Sequence, residues 1–210
     1  MKWNFMEIKR QLAHLSGLGV IPIAYFLGDF LTGVLAILFG IFIFFLSFYV
    51  QMKKKIRKNL PIRIKKLEEL EDNFHKLVNS FEREKSETHY MGAVLFFLAV
   101  GTSLIGFPTK IAFIAITVLA VGDSFSTIVG IHWGRHKTRI NPPKSWEGTF
   151  GGVFASFLAC LVFTNPLMAL IAAIVGMSIE LLPIQVNDNV LIPLSVGFVL
   201  WGLSFAGFVV

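Results

Sequence analysis

The sequence predicts an all-α membrane protein, a bundle of about seven transmembrane helices with a cytoplasmic N-terminus. The chain of 210 residues is 55% hydrophobic and 15% charged, with a mean hydropathy of +0.71. Soluble domains are roughly 45–50% apolar and about 25% charged. The apolar residues also form long runs, and the charges lie between those runs in an uneven pattern. These three observations together indicate the fold class.

Seven apolar runs approach the length of about 20 residues that a helix needs to cross a bilayer. We place them at 11–28, 31–50, 91–107, 110–133, 148–164, 166–183 and 190–209. The first run contains Pro22 and is expected to be interrupted there. The one cysteine, Cys160, lies inside an apolar run, which is typical of a packed core residue and excludes a disulfide framework.

The basic residues indicate the orientation of the bundle. With seven helices, the N-terminus, 51–89, 134–147 and 184–189 lie on one side, and they contain 18 of the 19 Lys and Arg residues. The positive-inside rule places that side in the cytoplasm. We therefore expect one integral membrane domain over 1–210, multi-pass, in the plasma membrane or the endoplasmic reticulum. Its basic face suits lipid head groups and phosphates, whereas a nucleic acid partner would leave the apolar runs unexplained and is not expected.

The segment 51–89 is the one sizeable polar part of the chain. Its first half is basic and contains Pro61, and its second half has apolar residues at helical spacing between charged ones. This pattern predicts an amphipathic helix on the membrane surface or against the domain, with a solvated connector as the alternative. Glu84, Lys85 and Glu87 lead into the third run, and we consider them for the mouth of a site.

Asp123 lies inside the fourth apolar run, where a carboxylate is costly and indicates a functional site. Ser126, Gly130 and Gly134 follow it at spacings of three, four and four residues, so the four share one helix face. Small residues on such a face also allow close helix packing, which is the alternative role for the glycines. Packing does not explain Asp123, which needs a cation, a proton or a Lys or Arg partner.

The loop 134–147 concentrates cations beside a predicted helix start. A Pro-Pro break divides it, and the polar and small residues around that break are Arg135, Arg139, Lys144, Ser145, Glu147 and Gly148. Cations next to the exposed N–H groups of a helix N-terminus form a binding site for polyanions. Glu147 could instead only complement the helix dipole. A GxxxxGK[ST] loop does not occur, so the sequence does not support the nucleotide site of a soluble kinase.

Three further polar residues fall on the same side of the predicted bundle. His14 lies in the first run, Glu180 near the end of the sixth, and Asp188 in the Asn-Asp-Asn turn before the seventh. Taken alone, the histidine fits an interfacial position and the turn fits ordinary turn chemistry. With Asp123 and Lys144 they bring several carboxylates opposite cations. That composition suits Mg²⁺ with a polyphosphate, since Mg²⁺ uses one or two carboxylates together with phosphate oxygens.

The central window resembles the nucleotide-binding motif of the CTP-dependent lipid kinases, which include dolichol kinase, phytol kinase and the CTP-using diacylglycerol kinase. That motif runs DxxAxxxGxxxG, a short spacer and then KKTxEGxxA, and its matching residues here are Asp123, Gly130, Gly134, Lys144, Ser145, Glu147 and Gly148. Ser126 replaces the first alanine, Pro143 the first lysine and Gly151 the last alanine. The segments EIKRQLAHLSG and ELLPIQVNDNVLIPL are similar to the family's opening and closing segments.

The resemblance implies a lipid kinase that transfers the γ-phosphate of CTP to a long-chain isoprenoid alcohol such as dolichol or a polyprenol, giving polyprenyl phosphate and CDP. It implies that Asp123 binds Mg²⁺, with Glu180 or Asp188 as a second ligand or as the base toward the lipid hydroxyl. His14 would close the site. The residues implied to bind CTP are Ser126, Gly130, Gly134, Arg135, Arg139, Lys144, Ser145, Glu147 and Gly148.

Phosphatidate cytidylyltransferases are similar in the same window, and KSWEGTFGG is closer to their sequence. Their C-terminal signature, with KD, a GHGG-like turn and DRxD, does not occur in this chain, which favours the kinase. A CTP:phosphatidate or archaetidate-type cytidylyltransferase that makes a CDP-lipid is the alternative. A transporter is disfavoured because most charges lie at one end of the apolar runs. The acceptor alcohol and the oligomeric state are not determined by the sequence.

Overall fold

The structure is a computed structural model that describes residues 5–56 and 91–208. The predicted amphipathic helix in the second half of 51–89 lies outside the described residues. So do Glu84, Lys85 and Glu87, which were considered for the mouth of a site.

The described ranges are almost entirely helical. They contain nine α-helices, a 3₁₀ turn Gly17–Gly19 and a π-helical turn Val118–Gly122. The helices are α1 (Phe5–Ser16), α2 (Val20–Leu27), α3 (Asp29–Ile56), α4 (Met91–Gly106), α5 (Thr109–Thr117), α6 (Asp123–Trp133), α7 (Trp146–Cys160), α8 (Pro166–Leu181) and α9 (Asp188–Phe205). Within these ranges, β pairing is limited to an isolated bridge between Lys137 and Ser145. The predicted all-α fold class is confirmed.

Three helical stretches of the described chain are long and apolar enough to cross a membrane. They are Asp29–Tyr49, Thr109–Trp133 and Asp188–Phe205. The helices α4 and α8 have 16 residues each and α7 has 15. At 1.5 Å per residue these three reach about 24 Å, less than the roughly 30 Å of a hydrocarbon core. The structure therefore supports a helical membrane protein with three candidate spans, while seven spans and a cytoplasmic N-terminus remain proposals.

A continuous helical rod from α5 through the π turn into α6 forms the centre of the fold. Ile114, Ile116 and Leu119 are fully buried in it. The helices α7, α8 and α9 pack around this rod, and α3 packs along α4 at the edge. Cys160 is buried against the rod, as expected of a core residue. Because α6 continues directly from the core, its polar face is held in a fixed position.

The first predicted span is interrupted, but not at the predicted residue. The break is the 3₁₀ turn Gly17–Gly19, and Pro22 lies in the first turn of α2. Proline is tolerated there because the first helical N–H groups have no intrahelical partner in any case. A Cβ atom at Gly17 would lie 2.2 Å from Cζ of Phe96. The close contact between the start of this turn and α4 therefore requires glycine.

Glycines bring α7 directly against α6. A Cβ atom at Gly148 would lie 2.6 Å from the carbonyl oxygen of Ser126, and one at Gly152 would lie 2.8 Å from that of Gly122. Small residues on facing helix surfaces allow backbones to approach in this way. The close approach carries the loop before α7 to the polar face of α6, and this positions the residues of the site.

Candidate active site

A cavity of about 1540 Å³ opens between α1, α2, α3, α4, α6 and the segments before α7 and α9. Polar groups line one part of it and apolar side chains line the other. The residues of the polar part are Arg10, His14, Asp123, Ser126, Thr127, Lys137, Lys144, Ser145, Glu180, Asn187, Asp188 and Asn189. The cavity thus gathers charged residues that are more than 170 positions apart in the sequence.

Asp123 lies at the junction of the π turn and α6, facing α1. Its Oδ2 is 3.8 Å from Nδ1 of His14, and both side chains are mostly buried. The next residue, Ser124, donates a hydrogen bond of 3.4 Å to the backbone carbonyl oxygen of Gln11. The ring of His14 also meets Phe96 edge to face. These contacts place His14 beside the carboxylate, where the sequence expectation puts it.

Glu180 is the most deeply buried charged residue of the site, at 2% exposure. Its Oε1 accepts hydrogen bonds from the hydroxyl of Ser126 and from Nζ of Lys144, which also forms an ion pair with it. Among the described residues, Oε2 of Glu180 has no hydrogen-bond partner although it is buried. A buried oxygen without a partner is costly unless another group satisfies it. This oxygen therefore points to a cation or a proton as a further partner.

Lys144 links the carboxylates electrostatically. Burial lowers the pKa of its ammonium group, but the nearby negative charges of Glu180, Asp123 and Asp188 outweigh that effect and raise the pKa above its ordinary value. Lys144 is therefore charged at neutral pH. The three carboxylates named in the sequence analysis as possible metal ligands thus all lie near one lysine.

The loop 134–145 is held together by its own hydrogen bonds. The backbone N–H of Thr138 donates to the carbonyl of Lys144 at 3.1 Å, and the N–H of Trp146 donates to that of His136 at 3.0 Å. The hydroxyl of Thr138, a buried residue, donates to the carbonyl of Asn141 at 2.7 Å. This ordered loop fixes Lys144 at the cavity without the support of a sheet.

Ser145 is the N-cap of α7. Its hydroxyl oxygen accepts the backbone N–H of Gly148 at 3.2 Å. Cβ atoms at Gly130, Gly134 and Gly148 would all lie within 3.3 Å of that hydroxyl oxygen. The glycines of the motif therefore surround a capping serine in this structure, which corresponds to the packing alternative. Their predicted role in approaching a nucleotide, and that of Ser145 in donating to phosphates, stay predictions.

Glu147 fastens the loop to the first turn of α7. Its two carboxylate oxygens accept the backbone N–H of His136 at 3.1 and 3.2 Å, and Oε1 lies 2.6 Å from Nδ1 of the same histidine. Hydrogen bonds from its own backbone and from His136 lower the pKa of Glu147 to about 2. The carboxylate therefore stays ionised at neutral pH and maintains the loop, a structural role that the motif alone does not reveal.

The two arginines expected to neutralise a triphosphate do not line the cavity. All three basic residues at 135, 137 and 139 are exposed, but Lys137 is the one of the three that lines the cavity, as does Arg10 of α1. Sequence reasoning did not select Lys137, because three basic residues in an irregular loop have no periodicity that separates them. The position of the loop against α6 determines which of the three basic residues lines the cavity. A role in binding for the two arginines stays a prediction.

The turn before α9 is fixed over the cavity by Asn187 and Asn189. The side-chain oxygen of Asn187 accepts the backbone N–H of Asn189 at 2.9 Å and caps the helix. The side-chain amide of Asn189 donates to the carbonyl of Gly92 in α4 at 2.9 Å. Asp188 lies between them in the first turn of α9. The Asn-Asp-Asn segment is thus both a turn and the support of one carboxylate of the site.

The donor groups fit a Mg²⁺ ion that binds together with a polyphosphate. No group of three or more His, Cys, Asp or Glu side chains in the described parts of the chain is arranged to hold a metal ion. Mg²⁺ commonly takes one or two protein carboxylates and completes its shell with phosphate oxygens and water. Asp123 and the unpartnered Oε2 of Glu180 are suitable carboxylate donors.

The fold and the cavity together define a class: an all-helical protein with candidate membrane spans and a charged site that continues into an apolar cavity. Within that class, the chain belongs to the Cytidylyltransferase family, which matches residues 10–208. No solved structure matches the chain.

The chain is similar to several known proteins. The chain is 32% identical over 131 residues to a phytol kinase of Synechocystis sp., which covers 56% of each chain. It is 32% identical over 130 residues to an uncharacterised protein of Methanocaldococcus jannaschii, covering 59% of this chain and 64% of that one. It is 26% identical over 151 residues to a probable chloroplastic phytol kinase of Oryza sativa, covering 61% and 48%. The match thus spans about half to two thirds of these relatives, and the resemblance to the CTP-dependent isoprenoid alcohol kinases is confirmed.

Proposed function

We propose that this protein is a membrane kinase that transfers the γ-phosphate of CTP to an isoprenoid alcohol. The observation that carries the proposal is the continuity of one cavity, in which Lys144, Asp123 and Glu180 meet at the polar part and apolar side chains form the rest. A phosphate donor needs the charged groups of the polar part, and a lipid acceptor needs the apolar part. The phytol kinases among the relatives support the same class of reaction. Dolichol and polyprenols are included among the proposed acceptors.

The reaction is a single phosphoryl transfer. The hydroxyl oxygen of the alcohol forms a bond to the γ-phosphorus of CTP while the bond from that phosphorus to the β,γ-bridging oxygen breaks. The hydroxyl proton passes to a carboxylate, and the products are the lipid phosphate and CDP. Most of the acceleration in such a transfer comes from positioning and from neutralising charge on the phosphates.

The residues divide between these tasks. Lys144 and Lys137 neutralise the phosphates from the loop side of the cavity, and Asp123 would hold the Mg²⁺ that accompanies the nucleotide. When bound, that ion would neutralise charge on the β- and γ-phosphates. Asp188 or Glu180 accepts the proton of the lipid hydroxyl or contributes a second metal ligand. His14, beside Asp123, closes the site from α1.

We further propose that the chain forms one integral membrane domain over 1–210, with seven spans and the site at the cytoplasmic face. Aromatic side chains that are exposed near the site and at the end of α2 support a membrane setting. Trp133 and Trp146 are exposed near the site, and Tyr25 and Phe26 are exposed at the end of α2. Tryptophan and tyrosine concentrate at membrane–water interfaces. The site would then lie at the depth of the head groups, where a lipid hydroxyl and soluble CTP can meet.

The experiment combines the purified chain in detergent with Mg²⁺, γ-³²P-labelled CTP and a mixture of phytol, polyprenols and diacylglycerol. We expect label in an extractable isoprenoid phosphate, and a loss of at least about 100-fold in Asp123→Asn, as is typical when a group that stabilises transition-state charge is removed. Lys137→Ala should raise the KM for CTP severalfold, and Arg139→Ala, a matched change at a loop residue that does not line the cavity, should raise it less; an equal rise would support the predicted role of Arg139 in binding CTP. Transfer that is unaffected by Asp123→Asn would contradict the assignment.

The family match favours a second candidate, a cytidylyltransferase that makes a CDP-lipid from phosphatidic or archaetidic acid. The two reactions cleave different bonds of CTP. With α-³²P-labelled CTP, a cytidylyltransferase would place label on the lipid and release pyrophosphate, whereas a kinase would leave all α-label in CDP. Lipid label from the α-position, together with no lipid label from the γ-position, would replace the kinase with this candidate.

A further inference from the structure

The apolar part of the cavity contains four phenylalanines that contact one another in series. Phe96 and Phe97 of α4 meet edge to face with ring centroids 5.5 Å apart. Phe97 meets Phe39 of α3 edge to face at 4.8 Å, and Phe39 stacks on Phe42 at 6.5 Å. All four line the cavity. We call these four residues the aromatic track.

The aromatic track joins the reactive part of the cavity to the outer surface of the helices. At its inner end, Phe96 is buried and touches His14, which lies beside Asp123. At its outer end, Phe39 and Phe42 are 48% and 58% exposed on α3, one of the candidate membrane spans. A ligand on the track therefore has one end at the charged groups and the other end at the surface that would face the bilayer.

The chemistry of the walls restricts what can occupy the track. Other residues of α2 and α3 that line the cavity, Val20, Ile23, Ile43 and Leu46, are also apolar. A nucleotide base or a sugar buried there would lose its hydrogen bonds to water without replacement. An apolar chain loses nothing and gains contact with the rings. The positions from Phe39 to Leu46 extend about 10 Å along the helix axis at 1.5 Å per residue.

We infer that the aromatic track binds the hydroxyl-proximal isoprene units of the acceptor alcohol and thereby selects a methyl-branched isoprenoid chain over a straight acyl chain, while the more distal units remain in the bilayer. This inference rests on the proposed function for the identity of the acceptor. Planar double bonds and methyl branches of an isoprenoid pack against aromatic faces and edges, whose preferred contacts are offset or edge-on. Selection then depends on the first few units beyond the hydroxyl and not on total chain length.

The chain offers a matched control for this inference. Phe44 and Phe45 are adjacent, exposed phenylalanines on the same helix, and their rings contact each other at 5.7 Å, but they do not line the cavity. The test compares Phe39→Ala/Phe42→Ala with Phe44→Ala/Phe45→Ala. Both double variants remove two exposed rings from α3, so a general loss of stability would affect them alike.

The first measurement is the KM for a series of alcohols at saturating CTP. For Phe39→Ala/Phe42→Ala we expect a rise of about tenfold with geranylgeraniol and with longer polyprenols. Geraniol is too short to reach the outer end of the track and should show little change, and the KM for CTP should be unaltered. Equal effects in both double variants, or an effect that grows steadily with chain length, would overturn the inference.

The second measurement needs no catalysis. Geranylgeraniol with a diazirine on its terminal unit is irradiated with the protein in the absence of CTP, and adducts are mapped by mass spectrometry. Adducts at Phe39, Phe42, Ile43 or Leu46 support the track, and adducts confined to Phe44, Phe45 or other surfaces refute it. If the wild-type protein transfers phosphate to no alcohol but the adducts still map to the cavity-lining positions of α3, the track stands and the proposed kinase function fails.

Discussion

The ion pair between Lys144 and Glu180 allows the charge balance of the site to be tested as a stability measurement. Replacing Lys144 by Met would remove the cation and leave the carboxylate of Glu180 at 2% exposure, with the hydroxyl of Ser126 still donating to it. Removal of one partner from a buried ion pair typically costs about 3–5 kcal/mol. The side chain of Lys144 is 30% exposed, so we expect a loss near the lower end, about 3 kcal/mol.

A double-mutant cycle separates the pair from its surroundings. Glu180→Gln alone leaves a partly exposed lysine that still has Asp123 and Asp188 nearby, so we expect a loss of about 1 kcal/mol. In Lys144→Met/Glu180→Gln the most deeply buried charge of the site is removed together with its partner, and the loss should be close to that of Glu180→Gln. The expected coupling is therefore about 2–3 kcal/mol, whereas independent sites show about 0.5 kcal/mol or less.

The assay is chemical unfolding of the purified protein in detergent, followed by circular dichroism. Lys137→Met is the matched control, because Lys137 also belongs to the loop at the cavity but is exposed and donates to the carbonyl of Pro143. We expect the control to change stability by no more than about 0.5 kcal/mol. If the losses from the two single variants simply add in the double variant, Lys144 is not the partner that stabilises the charge of Glu180 in the fold.

Three further outcomes are expected. Gly152→Ala should destabilise the protein by about 1–3 kcal/mol in the same unfolding assay, because its Cβ meets backbone, while Gly202→Ala, which meets nothing within 4 Å, should be neutral or mildly stabilising. The pKa of Glu147 is lowered from 4.5 to about 2, so its stabilisation of the loop should be complete above pH 4.5 and lost as pH falls through 2. Glu147→Gln should therefore speed amide exchange in the loop at pH 7. Unchanged exchange would contradict this role. Asn189→Ala should weaken stability by about 1 kcal/mol and raise amide exchange at the start of α4, since it removes the hydrogen bond to the part-buried carbonyl of Gly92.

The site residues could be predicted from the sequence where they lie on a helix, because the helical period shows which of them share a face. Asp123 and Ser126 are one helical turn apart and both line the cavity. The loop offered no such period, so the sequence analysis selected the two neighbouring arginines, which do not line the cavity, and not Lys137, which does. The aromatic track was also not predictable, because 22 phenylalanines are spread over the chain and only helix packing determines which of them line a cavity.

The number of spans and the break in the first helix show a second limit of sequence reasoning. Hydropathy marks apolar runs, but it does not show where a helix ends inside a run. The break falls at Gly17–Gly19, where a ring from α4 occupies the space that a Cβ atom at position 17 would need. Proline at position 22 is the stronger sequence signal, yet it fits the first turn of α2 without a break. Long-range packing therefore determines the boundary.

The π turn at Val118–Gly122 has a consequence for how the site can be gained or lost. Each residue of an α-helix turns the chain by about 100°, so one extra residue in a turn rotates everything beyond it by that amount. The direction in which Asp123 faces is thus encoded by a residue count and is insensitive to most substitutions within the turn. Deletion of a single residue there would keep the aspartate in the sequence and remove it from the cavity. Among homologous chains, a one-residue gap at this point would therefore separate those that retain the site from those that keep the motif residues but not their arrangement.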